Sequence, residues 1–176
     1  MKRQLGMAIL AGSLIVGGAA TAGAQMYAWV GGGPSLAAGD TKDALKSGWL
    51  ADAGIGKAVA GKLSLQLQAS LGSSKSKIGD VKSTFYGGFV NLAYDLTSET
   101  KLTPYLYAGG GLLAGKAEGG ESDSNGALNA GAGFSYKATS KVTLFGEVRY
   151  IKAGGDAKTT LMPILFGVSC PIGAAN

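Results

Sequence analysis

The sequence contains no histidine, one cysteine and four prolines, and only 15% of its residues are charged. Without histidine, a Ser-His-Asp triad and a zinc site built on imidazole ligands are both excluded. Cys170, the single cysteine, has no partner for a disulfide within the chain and no histidine to activate it as a nucleophile. We therefore predict that the protein is not an enzyme and holds neither a metal nor a cofactor.

Helical periodicity is also missing after the amino-terminal region, where no apolar pattern with a helical period exceeds two turns. Strand periodicity takes its place, most clearly in Leu63–Leu71, which alternates strictly between apolar and polar residues. Successive side chains of a strand point to opposite faces, so Leu65 and Leu67 share one face while Gln66 and Gln68 share the other. This segment is predicted to be a strand with one apolar and one polar face.

The first 24 residues have the pattern of a secretory signal peptide. Lys2 and Arg3 precede an apolar run, and small residues end it at Ala22-Gly23-Ala24. A membrane-anchor helix is the alternative, but the run is short, is interrupted by glycine and has no basic flank after it. We expect cleavage after Ala24, which leaves residues 25–176 as a single domain.

The charge that remains after cleavage is small. Loss of Lys2 and Arg3 lowers the net charge from +5 to +3. No cluster of basic residues is interleaved with aromatic ones, so nucleic acid is not an expected partner.

Eight strand-like segments separated by turn residues can be placed after Gln25. They span residues 26–35, 48–57, 62–72, 84–95, 103–114, 127–137, 142–151 and 160–171. Polar loops at 37–47, 73–83, 115–126 and 152–159 alternate with tight turns at 58–61, 96–101 and 138–141. An even number of strands with long loops at one end and short turns at the other is typical of bacterial outer-membrane barrels.

The distribution of polar and aromatic residues supports an enclosed polar interior. The polar strand faces carry mainly Gln, Ser, Asn and Gly, whereas Lys gathers in the loops. Aromatic residues fall at both ends of the predicted strands, where two interfacial girdles of a membrane barrel would lie. The girdle is predicted to comprise Tyr27, Trp29, Tyr94, Tyr105 and Tyr136 at the turn side and Trp49, Tyr86 and Tyr150 at the loop side.

Four short motifs resemble the outer-membrane beta-barrel domain family, which includes small OmpA- and OmpX-type barrels and opacity and porin family proteins. The motifs span residues 91–96, 102–111, 130–134 and 145–150. The resemblance implies a bacterial outer-membrane location and contact with the barrel-assembly machinery during biogenesis. Such chains usually end in an aromatic residue read by that machinery, whereas this one ends in Ala175-Asn176, which leaves Phe166 or Ile172 as substitutes.

Polar residues of the inward faces form a candidate network in the lumen. Its predicted members are Asp52, Gln66, Gln68, Asn91, Glu147 and Arg149. Because a buried charge must be paired, Arg149 is expected to pair with Glu147 or Asp52. An eight-stranded barrel is just wide enough to be filled by side chains, which favours a closed lumen. The small inward residues Gly54, Gly87, Gly131 and Gly133 leave a narrow pore open as an alternative.

The sequence therefore predicts an all-β protein, an eight-stranded antiparallel transmembrane barrel of the outer membrane. Its expected role is structural or surface-interactive, with outer-membrane lipid around it and an unidentified surface partner reached through the loops. One alternative is a narrow channel for ions or small solutes. A second is a soluble, lipocalin-like periplasmic carrier, in which the apolar face would have to point inward.

Overall fold

A computed structural model describes residues 26–97, 100–120, 122–155 and 159–172. The expected signal peptide, residues 1–24, lies outside the described residues. Eight strands account for most of the rest. They are β1 (Met26–Ala37), β2 (Gly48–Ala60), β3 (Leu63–Lys75), β4 (Lys82–Asp95), β5 (Leu102–Ala117), β6 (Ser122–Lys137), β7 (Thr143–Ala153) and β8 (Thr160–Ile172).

The strands form one closed antiparallel barrel in sequence order. Each strand pairs with its neighbours along the chain, and β1 closes the sheet against β8, from Met26↔Ile172 to Ala37↔Leu161. One short helix, α1 (Thr41–Ala44), interrupts the β1–β2 loop. Among the described residues no helix is long and apolar enough to cross a membrane. The predicted fold class is confirmed.

The two ends of the barrel differ, and we name them by their connections. The turn end carries the short connections β2–β3, β4–β5 and β6–β7, together with the start of β1 and the end of β8. The loop end carries the connections β1–β2, β3–β4, β5–β6 and β7–β8. The β5–β6 hairpin extends far into its predicted loop, because pairing continues to Lys116↔Ser122 before a turn in which Gly119 has a φ of +76°. Glycine suits that left-handed conformation.

The outer and inner faces of the strands follow the predicted alternation. In β3, Leu65 and Leu67 are exposed on the outer face, whereas Gln68 is buried inside. Large apolar side chains cover the outside on every strand. They include Val30, Ile55, Leu67, Val90, Leu92, Leu106, Leu112, Leu128, Phe134, Val148, Phe166 and Val168. Such an apolar exterior is expected where a barrel meets lipid.

The interior at the loop end is an apolar core. Leu50, Phe85, Phe89, Leu113, Ile151 and Leu165 pack there with Ala127, Ala153 and Leu161, and each is less than a tenth exposed. Phe89 is two residues from Asn91 on β4, and Ile151 is two residues from Arg149 on β7. Each therefore lies on the same face of its strand as a residue predicted to point into the lumen. The expectation of a polar interior is therefore wrong for this half of the lumen, where the barrel is filled like the core of a soluble protein.

Substitution of Leu67 by Arg tests the assignment of the outer face. We expect it to lower the free energy of unfolding by about 2–4 kcal/mol, because the charge would lie near the bilayer midplane. Thr84→Arg, also on the outer face but near the end of β4, should cost only about 0–1 kcal/mol. Urea unfolding in phospholipid vesicles measures both values, and equal small costs would contradict the assignment.

Candidate functional site

An ionic cluster lies inside the lumen, between the turn end and the loop end, and joins β7 to β2. Arg149 on β7 donates hydrogen bonds through Nη2 to Asp52 on β2 and to Glu147 Oε1, the latter at 2.6 Å. All three side chains are buried, with Arg149 only 2% exposed. The predicted pairing of Arg149 with Glu147 or Asp52 is thus found with both carboxylates at once.

Side-chain amides extend this cluster around the barrel wall. Gln68 donates to Asp52 Oδ2 at 2.5 Å, Asn91 donates to Gln68 Oε1 at 2.9 Å, and Asn129 donates to Asn91 Oδ1 at 2.8 Å. We call Asp52, Gln68, Asn91, Asn129, Glu147 and Arg149, together with the tyrosines described next, the polar belt. Of the six residues predicted for the lumen, five lie in the belt. The sixth, Gln66, lies nearer the turn end and donates to the Tyr27 hydroxyl at 3.0 Å.

Two tyrosines of β5 complete the belt. The hydroxyls of Tyr105 and Tyr107 donate to Glu147 Oε2 and Oε1, each at 2.8 Å. Arg149 Nε in turn donates to the Tyr107 hydroxyl at 2.6 Å, and the guanidinium carbon lies 5.7 Å from the centre of the same ring. Glu147 therefore accepts from three side chains, and Arg149 donates through Nε and Nη2, whereas its buried Nη1 has no hydrogen-bond partner among the described residues.

The girdle prediction is wrong for Tyr27, Trp29 and Tyr105, which point into the lumen. Each occupies an inward-facing position on its strand. Inside the barrel, the Tyr27 hydroxyl accepts a hydrogen bond from Gln66, and the Tyr105 hydroxyl donates one to Glu147. The other five predicted members are exposed on the outer face. Trp49, Tyr86 and Tyr150 lie toward the loop end, and Tyr94 and Tyr136 lie toward the turn end. Two rows of outward aromatic side chains therefore remain.

The inward glycines leave space that aromatic rings occupy, so they do not widen a pore. A Cβ on Gly54 would lie 2.4 Å from the Trp29 ring, and one on Gly131 would lie 2.5 Å from the Tyr107 ring. Gly133 faces Tyr105 and Gly87 faces Phe89 in the same way, at 2.8 and 2.7 Å. At each glycine a ring thus occupies the space that a Cβ would need. All four glycines that favoured the pore alternative are covered by rings.

A cavity of about 470 Å³ occupies the lumen at the turn end. Its walls carry Tyr27, Trp29, Tyr105, Tyr107 and Phe145, and its inner limit is formed by Gln68, Glu147 and Arg149 of the polar belt. At the other end it reaches the exposed turn residues Thr139 and Ser140. We call this cavity the vestibule. The polar belt and the apolar core lie between it and the loop end.

Sequence reasoning missed the ring-lined vestibule because β5 is apolar on both faces. The sequence of β5 alone does not show whether Tyr105 and Tyr107 face the lumen or the lipid. A signal does exist in the neighbouring strand, where Gly131 and Gly133 alternate with larger residues and lie opposite the two tyrosines in register. Asn129 occupies an inward-facing position on β6, and the register through Gly109 of β5 places it next to Asn91 of β4.

Within the described ranges, no group of three or more His, Cys, Asp or Glu side chains is placed to hold a metal ion. The charges of the belt instead bind one another, two carboxylates sharing a single guanidinium. Loss of the guanidinium would leave both carboxylates buried without a cation.

Arg149→Met tests the energetic role of that guanidinium. We expect a loss of about 3–5 kcal/mol in the free energy of unfolding, because two carboxylates lose their partner inside the barrel. Lys116→Met, at an exposed position of β5, should change it by less than about 0.5 kcal/mol. Adding Asp52→Asn and Glu147→Gln to Arg149→Met should restore part of the loss. A cost for Arg149→Met no larger than that of the control would show that the belt carries no buried ionic interaction.

Several solved structures share this architecture. Neisserial surface protein A superposes with a TM-score of 0.71 at 19% identity, covering 84% of this chain and 97% of that one. OprG of Pseudomonas aeruginosa gives 0.58 at 14% identity, covering 86% and 97%. The amino-terminal barrel domain of OprF from the same organism gives 0.57 at 16% identity, covering 85% and 99%. At these identities the likeness shows the fold alone. No curated protein sequence matches the chain.

A family model adds sequence evidence to this likeness of fold. The model, described as the outer membrane protein beta-barrel domain, matches residues 7–170, nearly the whole chain. The polar belt and all eight strands lie within that match, except for the last two residues of β8. The chain belongs to the outer membrane protein beta-barrel domain family and is an integral protein of the bacterial outer membrane.

Proposed function

We propose that the protein is a closed, non-enzymatic barrel with a structural or surface-interaction role, and that its lumen does not conduct ions. The observation that carries this proposal is the apolar core at the loop end. Ile151 and Leu165 are completely buried there, and Leu50 and Phe89 are nearly so. An ion crossing this layer would lose its hydration without gaining polar partners, which carries a large free-energy cost.

The polar belt supports the same conclusion. Its hydrogen bonds link β2, β3, β4, β5, β6 and β7 across the lumen. Passage from the vestibule to the loop end would require Arg149 to leave at least one carboxylate, and then the apolar core to open as well. Two consecutive barriers of different chemistry favour the closed barrel over the narrow channel.

The soluble-carrier alternative is disfavoured by the faces of the barrel. A carrier of lipocalin type needs an apolar interior and a hydrated exterior. Here large apolar side chains cover the outside, including Leu128 at 70% and Phe166 at 64% exposure, and the family is one of membrane barrels. Outer-membrane lipid is therefore the medium around the strands.

The surface role is supported by an ordered platform at the loop end. The β1–β2 and β3–β4 loops are joined by a bridge between Leu45 and Ser76 and by backbone hydrogen bonds. Lys46 Nζ also binds Asp80 Oδ1 at 2.5 Å, and this hydrogen bond holds the pKa of the Asp80 carboxyl below its ordinary value. A lowered pKa means that the contact is present at neutral pH and is lost as the pH falls through acid values. Because both groups are exposed, the pair orders the loops more than it stabilises the fold.

Two partners are part of the proposal. A surface partner would meet the loop-end platform, and the barrel-assembly machinery would act on the chain during biogenesis. Both residues named as substitutes for a terminal aromatic assembly signal lie on β8. Phe166 projects outward at 64% exposure, and Ile172 ends the strand at 38%. Phe166 offers the aromatic group that such a signal needs, so we propose Phe166 for this role.

Planar-bilayer recording tests the closed lumen. The folded protein should give no steady, ion-selective conductance, because the belt and the apolar core block the path. In the double variant Phe89→Ala, Leu165→Ala, two large side chains of the core are shortened, and conductance should rise if that layer is the barrier. Phe134→Ala, which shortens a side chain of the outer face, is the matched control. Steady conductance of the unmodified protein would contradict the proposal.

A further inference from the structure

At the inner limit of the vestibule, two carboxylates share a single guanidinium. Asp52 and Glu147 share one guanidinium, that of Arg149, and both carboxylates are at most 9% exposed. Of these two, Glu147 lines the vestibule, and among the described residues its Oε2 accepts a hydrogen bond only from the Tyr105 hydroxyl. A buried negative charge in excess favours a cationic group beside it. The inner limit of the vestibule is therefore suited to an ammonium group.

The aromatic walls of the vestibule add to this preference. Trp29 and Phe145 line it together with Tyr105 of the belt, and the negative faces of aromatic rings attract organic cations. The rings lie over glycines, so the centre of the vestibule stays free. A volume of about 470 Å³ is in the range of small-molecule sites.

The mouth of the vestibule has the opposite charge. Lys137, the last residue of β6, lines it together with Asp95. Lys62 lies beside them, because the Asp95 N–H donates to the Lys62 carbonyl at 3.0 Å and Lys62 Nζ donates to the Leu96 carbonyl at 3.2 Å. Two lysines and one aspartate at this level favour an anionic group on a ligand. The vestibule thus favours a ligand with a negative charge at the mouth and a positive charge at the inner limit.

The spacing of the two charged levels fixes the length of the ligand. Glu147 lies opposite Gly133 in register, and Lys137 follows Gly133 by four residues on β6. Four residues of a strand span about 13 Å, or about 10 Å along the axis of a barrel with strands tilted by about 40°. An extended tripeptide is about 10 Å long. A single amino acid is much shorter than this backbone spacing.

We propose that the vestibule binds a short zwitterion of about tripeptide length from the turn end, with its ammonium group at Glu147 and its carboxylate at Lys137. Polar side chains between the two levels, Ser64, Gln66, Thr143 and Ser169, line the wall and offer hydrogen bonds to peptide groups. This site lies on the turn-end side of the belt, so it adds a function to the closed barrel and needs no passage through it.

Trialanine and its two capped forms provide the test. Isothermal titration of the folded protein in lipid nanodiscs should show that trialanine binds about ten- to a hundredfold more tightly than N-acetyltrialanine or trialanine amide, since each cap removes one charged contact. Glycine should bind more weakly than trialanine. No binding of trialanine, or equal binding of trialanine and N-acetyltrialanine, would overturn the proposal and would leave the closed-lumen result unaffected.

Variants at the mouth and at the inner limit assign the two ends. Lys137→Gln should remove the preference for trialanine over its amide and keep the preference over the acetylated form. Lys57→Gln, on the outer face near the same end, is the matched control and should change neither preference. Glu147→Gln should remove the preference for the free amino group. A heat-dependent gel shift shows whether Glu147→Gln folds. If it does not fold, the Lys137→Gln variant and the capped peptides test the proposal without it. A Lys137→Gln variant that still prefers trialanine over trialanine amide overturns the assignment of the carboxylate to Lys137.

Discussion

The pairing of β1 with β8 is the constraint on which the rest of this structure depends. A barrel in lipid cannot leave a strand edge unpaired, because each free backbone N–H or C=O group in hydrocarbon costs several kcal/mol. Closure from Met26↔Ile172 to Ala37↔Leu161 removes both edges of the sheet. It also divides the side chains of every strand into an inner and an outer set, and the chemistry of the molecule follows from that division.

Closure leaves an interior with three successive levels. The vestibule at the turn end is lined by rings, the polar belt follows it, and the apolar core fills the loop end. Glycines opposite the rings allow so many aromatic side chains in a narrow lumen. Buried ionic clusters are often no more stabilising than a packed apolar core, but they are costly to disrupt. We infer that the belt mainly fixes the lumen in one arrangement, since Arg149 has its three partners on β2, β5 and β7.

The sequence predicted the architecture well because alternation is a local property. Leu65 and Gln66 could be assigned to opposite faces without knowledge of any other strand. The partners across the lumen were harder to predict, since they depend on register and on side-chain reach. Arg149 was correctly paired with nearby carboxylates because few inward charges exist. Tyr105 was misplaced, because a tyrosine near a strand end has the same pattern whether it faces lipid or a buried carboxylate.

The apolar core shows a different limit of sequence reasoning. Phe85 and Phe89 share the parity of Asn91, so their inward direction was already contained in the sequence. The assumption that an enclosed lumen is polar along its whole length hid it. In an eight-stranded barrel the lumen is narrow enough for side chains to fill it, and the physical reason for a polar lining, contact with water, is lost wherever they do.

We infer that the lumen admits water from the turn end alone. Labelling of single cysteines with a membrane-impermeant, charged thiol reagent in oriented proteoliposomes measures this most directly, with Cys170 first replaced by serine. A cysteine at Thr143, which lines the vestibule, should react when the reagent is added on the turn side and stay unmodified when it is added on the loop side. Equal reaction from both sides would show an open lumen and contradict the account.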